Sequence, residues 1–204
     1  MNTDTNRMDK LSYALGLSMG QNFKGSGIAQ MNVPDFADAL QAVYDNSEKK
    51  MSYDEAKQIV QDFFSELEGK AGEMNAKLGK EFLAQNAKQE GVKVTASGLQ
   101  YQIVKEGNGV KPGPSDVVTV HYTGKLIDGT VFDSSVERGE PATFAVGQVI
   151  PGWVEGLQMM SEGAAWRLFI PSELAYGAHG TGPIQPHSTL IFDVQLIKVA
   201  KNNG

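Results

Sequence analysis

Six aromatic residues in the C-terminal half, Tyr122, Phe132, Phe144, Trp153, Tyr176 and Phe192, recur in the company of one carboxylate, Asp133, and one guanidinium, Arg138. Rings gathered on one concave face make a desolvated cup, in which a few polar groups orient the ligand. Such a set serves recognition and electrostatics more than covalent chemistry. A hydrolase would draw on Ser134 or Ser135 with His121, His179 or His187, but no Gly-x-Ser-x-Gly elbow presents either serine. His179 and His187 lack close carboxylate companions or helical spacing, so no metal-ligand pattern forms. The glycines complete neither Gly-x-Gly-x-x-Gly nor a P-loop. The residues call for no cofactor and no metal.

Elements of period two must position these rings. Residues 98–104 and 116–124 alternate apolar with polar side chains and read as strands, and further strands are expected at 143–146, 164–170 and 188–199. Asp128-Gly129 joins 125–127 to 130–132 in a hairpin, because both residues tolerate positive φ. The one helical stretch among them runs from Gly152, with Trp153, Leu157 and Met160 on one face. A short helix against an antiparallel sheet is α+β architecture.

The N-terminal half follows another grammar. It holds one of the eight prolines, against seven after Val92, and its apolar residues recur every three or four positions. A first helix is expected from about Asp9 to Phe23, with Leu11, Ala14, Leu15 and Met19 on one side, ending in Lys24-Gly25-Ser26-Gly27. A second starts at Pro34, carries Asp35 and Asp38 in its positive first turn, and buries Phe36, Ala37, Leu40, Val43 and Tyr44. The third opens on a Ser52–Glu55 capping box and continues to about Glu90 through Ala56, Val60, Phe63, Leu67, Ala71, Met74, Leu78 and Phe82. Gly69, Gly72 and Gly79 lie inside it, each costing about 1 kcal/mol relative to alanine, which predicts a bend or local loosening. Three such helices expose more apolar surface than one chain covers, so a second copy is the expected partner, with Gly16 and Gly20 allowing close helix approach. Met19, Met31 and Met51 are core filler first and an adaptable surface for unfolded chains second.

Composition bounds the rest. The 204 residues carry a formal charge of −6, which repels a phosphate backbone, and this excludes electrostatically driven nucleic-acid binding. Without cysteine there is no disulfide framework, zinc–thiolate site or cysteine nucleophile. The opening residues lack the apolar core of a secretory signal and no run is long enough for a membrane span. The chain as given is therefore expected to be cytoplasmic, or periplasmic or outer-membrane-associated if a signal was removed from a precursor.

The segments VHYTGKLIDGTVFDSS, VIPGWVEGLQMM, ELAYGAHG and HSTLIFDVQLIKV, in that order over residues 97–199, resemble the FKBP-type peptidyl-prolyl cis–trans isomerases, the macrolide-binding immunophilins. KLSYALGLSMGQNF resembles the dimerisation domain of their macrophage infectivity potentiator subgroup. The resemblance implies a bacterial α+β protein: a curled antiparallel sheet wrapped on a short helix over residues 93–204, preceded by an all-α dimerisation domain over 1–92 whose connecting helix spans about 52–90. It implies rotation of X–Pro bonds by catalytic Tyr122, Phe132, Asp133, Trp153, Tyr176 and Phe192, with Arg138, Phe144, Val149, Ile150 and Ile184 binding substrate. Trp153 is the expected floor beneath the proline ring. Tyr176 is expected to hydrogen-bond a substrate or drug carbonyl, and Val149 and Ile150 to present backbone to the peptide. Partly folded proline-containing polypeptides, macrolide inhibitors and a second copy of the chain are the implied partners, with neither nucleic acid nor membrane. Two departures stand out: Ala142 where the family often carries a rim aromatic, and the segment 177–186. The alternative is a chaperone or binding scaffold in which isomerisation is secondary or absent.

Overall fold

The computed structural model describes residues 9–202. Three helices come first, α1 (Lys10–Gly25), α2 (Val33–Tyr44) and α3 (Tyr53–Asn86). Each start is explained by its cap. The Asp9 carboxylate accepts the Leu11 and Ser12 amides of α1, Asn32 caps α2 ahead of Pro34, and Ser52 accepts the Glu55 amide at 3.1 Å. α3 stops at Asn86 rather than near Glu90, because Lys88 and Gln89 donate to Gln85 and Asn86 in tight turns that lead to Gly91 at φ +79°. The chain forms two compact units that divide within α3, Met1–Leu67 and Glu68–Gly204, whereas the change from helix to strand comes only at Val92.

In the first unit no described side chain is fully buried. Phe23 and Phe36 meet edge to face at 5.6 Å, and Leu67 fills the space above Gly27. Phe36 apart, the sides of α1 and α2 that the periodicity assigned to a core stand in solvent instead. Leu11 is 69% exposed and Tyr44 78%, and Leu15, Leu40 and Val43 are exposed as well. Nothing lies within 4 Å of where a side chain at Gly16 or Gly20 would sit.

The second unit is built on one antiparallel sheet of seven strands: β1 (Val92–Val94), β2 (Gln100–Lys105), β3 (Val117–Leu126), β4 (Val131–Ser134), β5 (Ala142–Ala145), β6 (Ala165–Ile170) and β7 (Leu190–Ala200). The order is β1-β2-β6-β7-β3-β4, with β5 also on β3. β3 is the organiser. One edge pairs with β7 throughout, while the other takes β5 over Val117–Val120 and β4 over Thr123–Lys125. Its alternation puts Val118, Val120 and Tyr122 into the core. The predicted hairpin turn is present, with Gly129 at φ +90° and the Thr130 amide on the Asp128 carboxylate.

Helix α4 (Pro151–Met159) lies against the core face of the sheet, with Trp153, Leu157 and the following Met160 buried as expected. Gly152 and Gly156 permit the approach, since a Cβ there would come within 2.5 Å of Ile170 and 2.9 Å of Leu168. The opposite face carries the C-terminal stretch of α3. Phe82 meets Phe169 at 6.0 Å, and Gln100 donates to the Leu83 carbonyl while accepting from Asn86. Gly72 and Gly79 are buried here against Pro186 and Thr189, and α3 runs through them unbroken. The glycines are contact points rather than weak points, and the expected stripe partners Met74 and Leu78 are exposed.

Candidate functional site

Five of the six predicted rings converge. Trp153, the first core residue of α4, meets Tyr122 of β3 at 5.3 Å, Phe192 of β7 at 5.2 Å and Phe144 of β5 at 5.7 Å, each nearly at right angles. Phe132 of β4 joins through Phe192 at 5.6 Å. Edge-to-face packing sets the positive ring edge on a negative face and contributes about 0.5–1.5 kcal/mol per pair beyond burial. Tyr122, Trp153 and Phe192 are buried, while Phe132, Phe144, Val149 and Ile150 are half-buried and packed on the same cluster. The Trp153 indole N–H is buried without a hydrogen-bond partner.

One glycine makes the convergence possible. Gly124 pairs with Phe192 across the β3–β7 ladder, and a Cβ there would lie 2.6 Å from the Phe132 ring and 2.7 Å from that of Phe192. Its role is signalled in sequence only by a glycine inside a strand pattern, which marks close approach.

The polar edge of the cluster is a triangle. The Tyr122 hydroxyl donates to the Asp133 carboxylate, Arg138 donates to the same carboxylate, and a second Arg138 nitrogen reaches the Tyr122 hydroxyl at 3.1 Å. Arg138 also lies 5.7 Å from the Tyr122 ring centre. Burial pushes the Asp133 carboxyl up, but the bonds from Tyr122 and Arg138 outweigh it and hold it below the usual carboxylate range. Burial pushes the Tyr122 phenol up, and its bond to Asp133 adds to that. At neutral pH the carboxylate is charged and the phenol keeps its proton.

Tyr176 and Ile184 do not share in the ring contacts. Both belong to the segment between the short turn Ser172–Leu174 and β7, where Ile184 is buried in the common core and Tyr176 is 38% exposed. The serines have structural work. Ser135 is wholly buried, its hydroxyl accepting the Tyr122 amide at 2.8 Å and lying 3.2 Å from the Tyr122 carbonyl and 3.1 Å from His121 Nδ1. A hydroxyl so enclosed cannot meet a substrate carbonyl. Among the described residues no group of three or more His, Cys, Asp or Glu side chains could hold a metal ion.

Comparison with known proteins gives a consistent picture. Residues 108–197 match the family model described as FKBP-type peptidyl-prolyl cis-trans isomerase, and residues 8–103 match the domain amino terminal to it. FkpA of Aeromonas hydrophila, named as an FKBP-type peptidyl-prolyl cis-trans isomerase, is 46% identical over 95% of this chain and 76% of its own. An outer membrane protein MIP of Legionella longbeachae is 45% identical, covering 97% and 88%. The FKBP-type 22 kDa isomerase of Escherichia coli is 45% identical, covering 92% and 93%. The crystal structure of FkpA from Escherichia coli superposes with a TM-score of 0.75 at 38% identity, covering 98% of this chain and 97% of that one. No described helix is long and apolar enough to cross a membrane. The expectation of a cytoplasmic protein gains no support from these relatives, one of which is named for the outer membrane.

Proposed function

We propose, because this chain belongs to the FKBP-type peptidyl-prolyl cis–trans isomerase family, that X–Pro bonds turn over Trp153 within the cluster of Tyr122, Phe132, Phe144 and Phe192. The carrying observation is the set of near-perpendicular rings around Trp153 with the Tyr122–Asp133–Arg138 triangle at its edge. The barrier to X–Pro rotation, near 20 kcal/mol, is the loss of amide resonance. The planar imide carries charge transferred from nitrogen to oxygen, and twisting removes it. Apolar surroundings therefore disfavour the planar ground state more than the twisted one, and each 1.36 kcal/mol of that difference gives about tenfold in rate.

The triangle keeps its charges occupied with one another, so the rings meet the imide without a free ion competing for it. Asp133 orients the Tyr122 hydroxyl and Arg138 closes the rim. Val149 and Ile150 offer backbone to the extended peptide, while Tyr176 and Ile184 bind its carbonyl side. No covalent step occurs. Macrolides compete for the same rings.

The first unit pairs two chains. Its helices leave Leu11, Leu15, Leu40, Val43 and Tyr44 exposed in one small unit, apolar surface that a second copy would cover. Two sites joined in this way hold one partly folded client at raised effective concentration, which adds a chaperone-type contribution.

A protease-coupled assay on a proline tetrapeptide tests the site. Asp133→Leu and Trp153→Leu are expected to lower kcat/KM by about tenfold or more while far-UV circular dichroism stays native. Full turnover in both would sink the assignment.

A further inference from the structure

We propose that Asn75 of α3 is a positioning residue for the isomerase site, holding the segment that carries Tyr176 and Ile184. This rests on the reading of Tyr176 and Ile184 as substrate-binding residues. Asn75 lies in the second unit, on the α3 face that includes Gly72 and Gly79, and its side-chain amide donates to the Pro186 carbonyl at 3.0 Å. On one side of it Gly72 brings the helix against Pro186 and His187, where a Cβ would meet side-chain atoms at 3.2 and 3.3 Å. On the other, Gly79 takes Thr189 against the helix. Three successive points of α3 thus grip residues 186–189.

From that grip the path to the site is short. The His187 amide donates to the Gly177 carbonyl at 2.8 Å, directly after Tyr176, and Gly177 in turn donates to Ser172 at 2.9 Å. Within the segment Ile184, two residues before Pro186, exchanges hydrogen bonds of 2.8 Å with Thr181. The Ser188 hydroxyl donates to the Gln185 carbonyl. His187 sits at φ +57°, a conformation that costs a non-glycine residue energy and persists only when its surroundings over-determine it. The Asn75 bond to Pro186 and the Gly72 contact with His187 itself hold this residue from one side and Gly79 against Thr189 from the other, and together they supply the constraint. Gly177, Gly180 and Gly182, all at positive φ, leave the remainder of the segment few side chains of its own with which to hold a shape.

Loss of the Asn75 bond should free the segment without touching the rings, so the effect should fall on substrate binding rather than on the rotation step. Asn75→Ala removes the donor while improving helix propensity, and Asn75→Asp keeps the shape without the donor. In the full-length protein, with proline tetrapeptides, both are expected to raise KM roughly three- to tenfold, the scale of one lost hydrogen bond, at a kcat within about twofold of the parent and with native thermal midpoints. Ile184→Ala and Tyr176→Phe run in parallel. If they raise KM while both Asn75 variants behave as the parent, or if the Asn75 variants lower kcat alone, positioning by α3 is overturned. If Ile184→Ala and Tyr176→Phe leave KM unchanged, the assignment of those two residues fails instead, whatever Asn75 does.

Discussion

Both units obey the same amphipathic rules, yet only one of them encloses a core. In the second, alternation along β3, β6 and β7 sends Val118, Val120, Leu168, Ile170, Leu190 and Leu196 out of water entirely. In the first, helices with well-formed caps and correct periodicity leave every described side chain at least partly exposed. A sheet gains its inner layer from strands far apart in sequence, whereas a small set of short helices has one face each and too few partners for it. Local pattern states which face wants burial. It does not state which molecule supplies the cover.

The largest expected effect breaks this contrast at its open end. On the proposed pairing, the parent should sediment at twice the chain mass and Leu15→Lys with Leu40→Lys as a single 22.0 kDa chain, with tetrapeptide turnover retained and proline-limited refolding slowed. An unchanged mass would mean that these faces are not the interface.

Truncation probes where the closed unit begins. Removing residues 1–67 should leave the thermal stability of the sheet nearly intact, because the units divide at Leu67. Removing 1–91 strips Phe82, Leu83 and Asn86 from Phe169 and Gln100, at a cost of about 3 kcal/mol or more, read by denaturant melts. Equal stability of the two fragments would show that the helix end contributes nothing.

A pair of glycines sharpens the contrast further. Gly124→Ala drives a methyl into Phe132 and Phe192 and should cost about 1–3 kcal/mol together with turnover. Gly16→Ala meets nothing within the chain and should stabilise α1 by about 1 kcal/mol in a monomer. If instead Gly16→Ala weakens association on dilution, α1 approaches its partner closely at that point.

The smallest effect concerns acid. Asp116 accepts from Lys201 and from the amides of Gly113 and Asn202, which together lower its pKa to about 2. Its carboxylate contributes stability that is full above the unfolded value near 3.8 and is lost as pH falls through about 2. Asp116→Asn should move the acid unfolding midpoint of the second unit upward and leave neutral peptide turnover unaltered. With Asp133 lowered and Tyr122 raised, kcat/KM of the parent should stay level across neutral pH.

Much of this was legible in the sequence. The strands around Tyr122 and Phe192, the Asp128-Gly129 turn and the α4 face of Trp153, Leu157 and Met160 follow from period and turn chemistry, which act over a few residues. The family resemblance added Val149, Ile150 and Ile184 and gave each residue its expected role. Three things were decided by tertiary structure alone. Gly124 has no side chain to announce that two rings need its space. Ser135 lacked an elbow in the sequence, but only the fold shows it enclosed against the Tyr122 backbone with His121 as its neighbour. The packed face of α3 runs through Gly72, Asn75, Gly79 and Phe82 rather than Met74 and Leu78, because the close-fitting segment 186–189 selects small residues where hydropathy looks for large ones. Sequence determines what each segment can bury; the partner it meets determines what it does bury, since packing is a property of two surfaces and the chain spells out only one at a time.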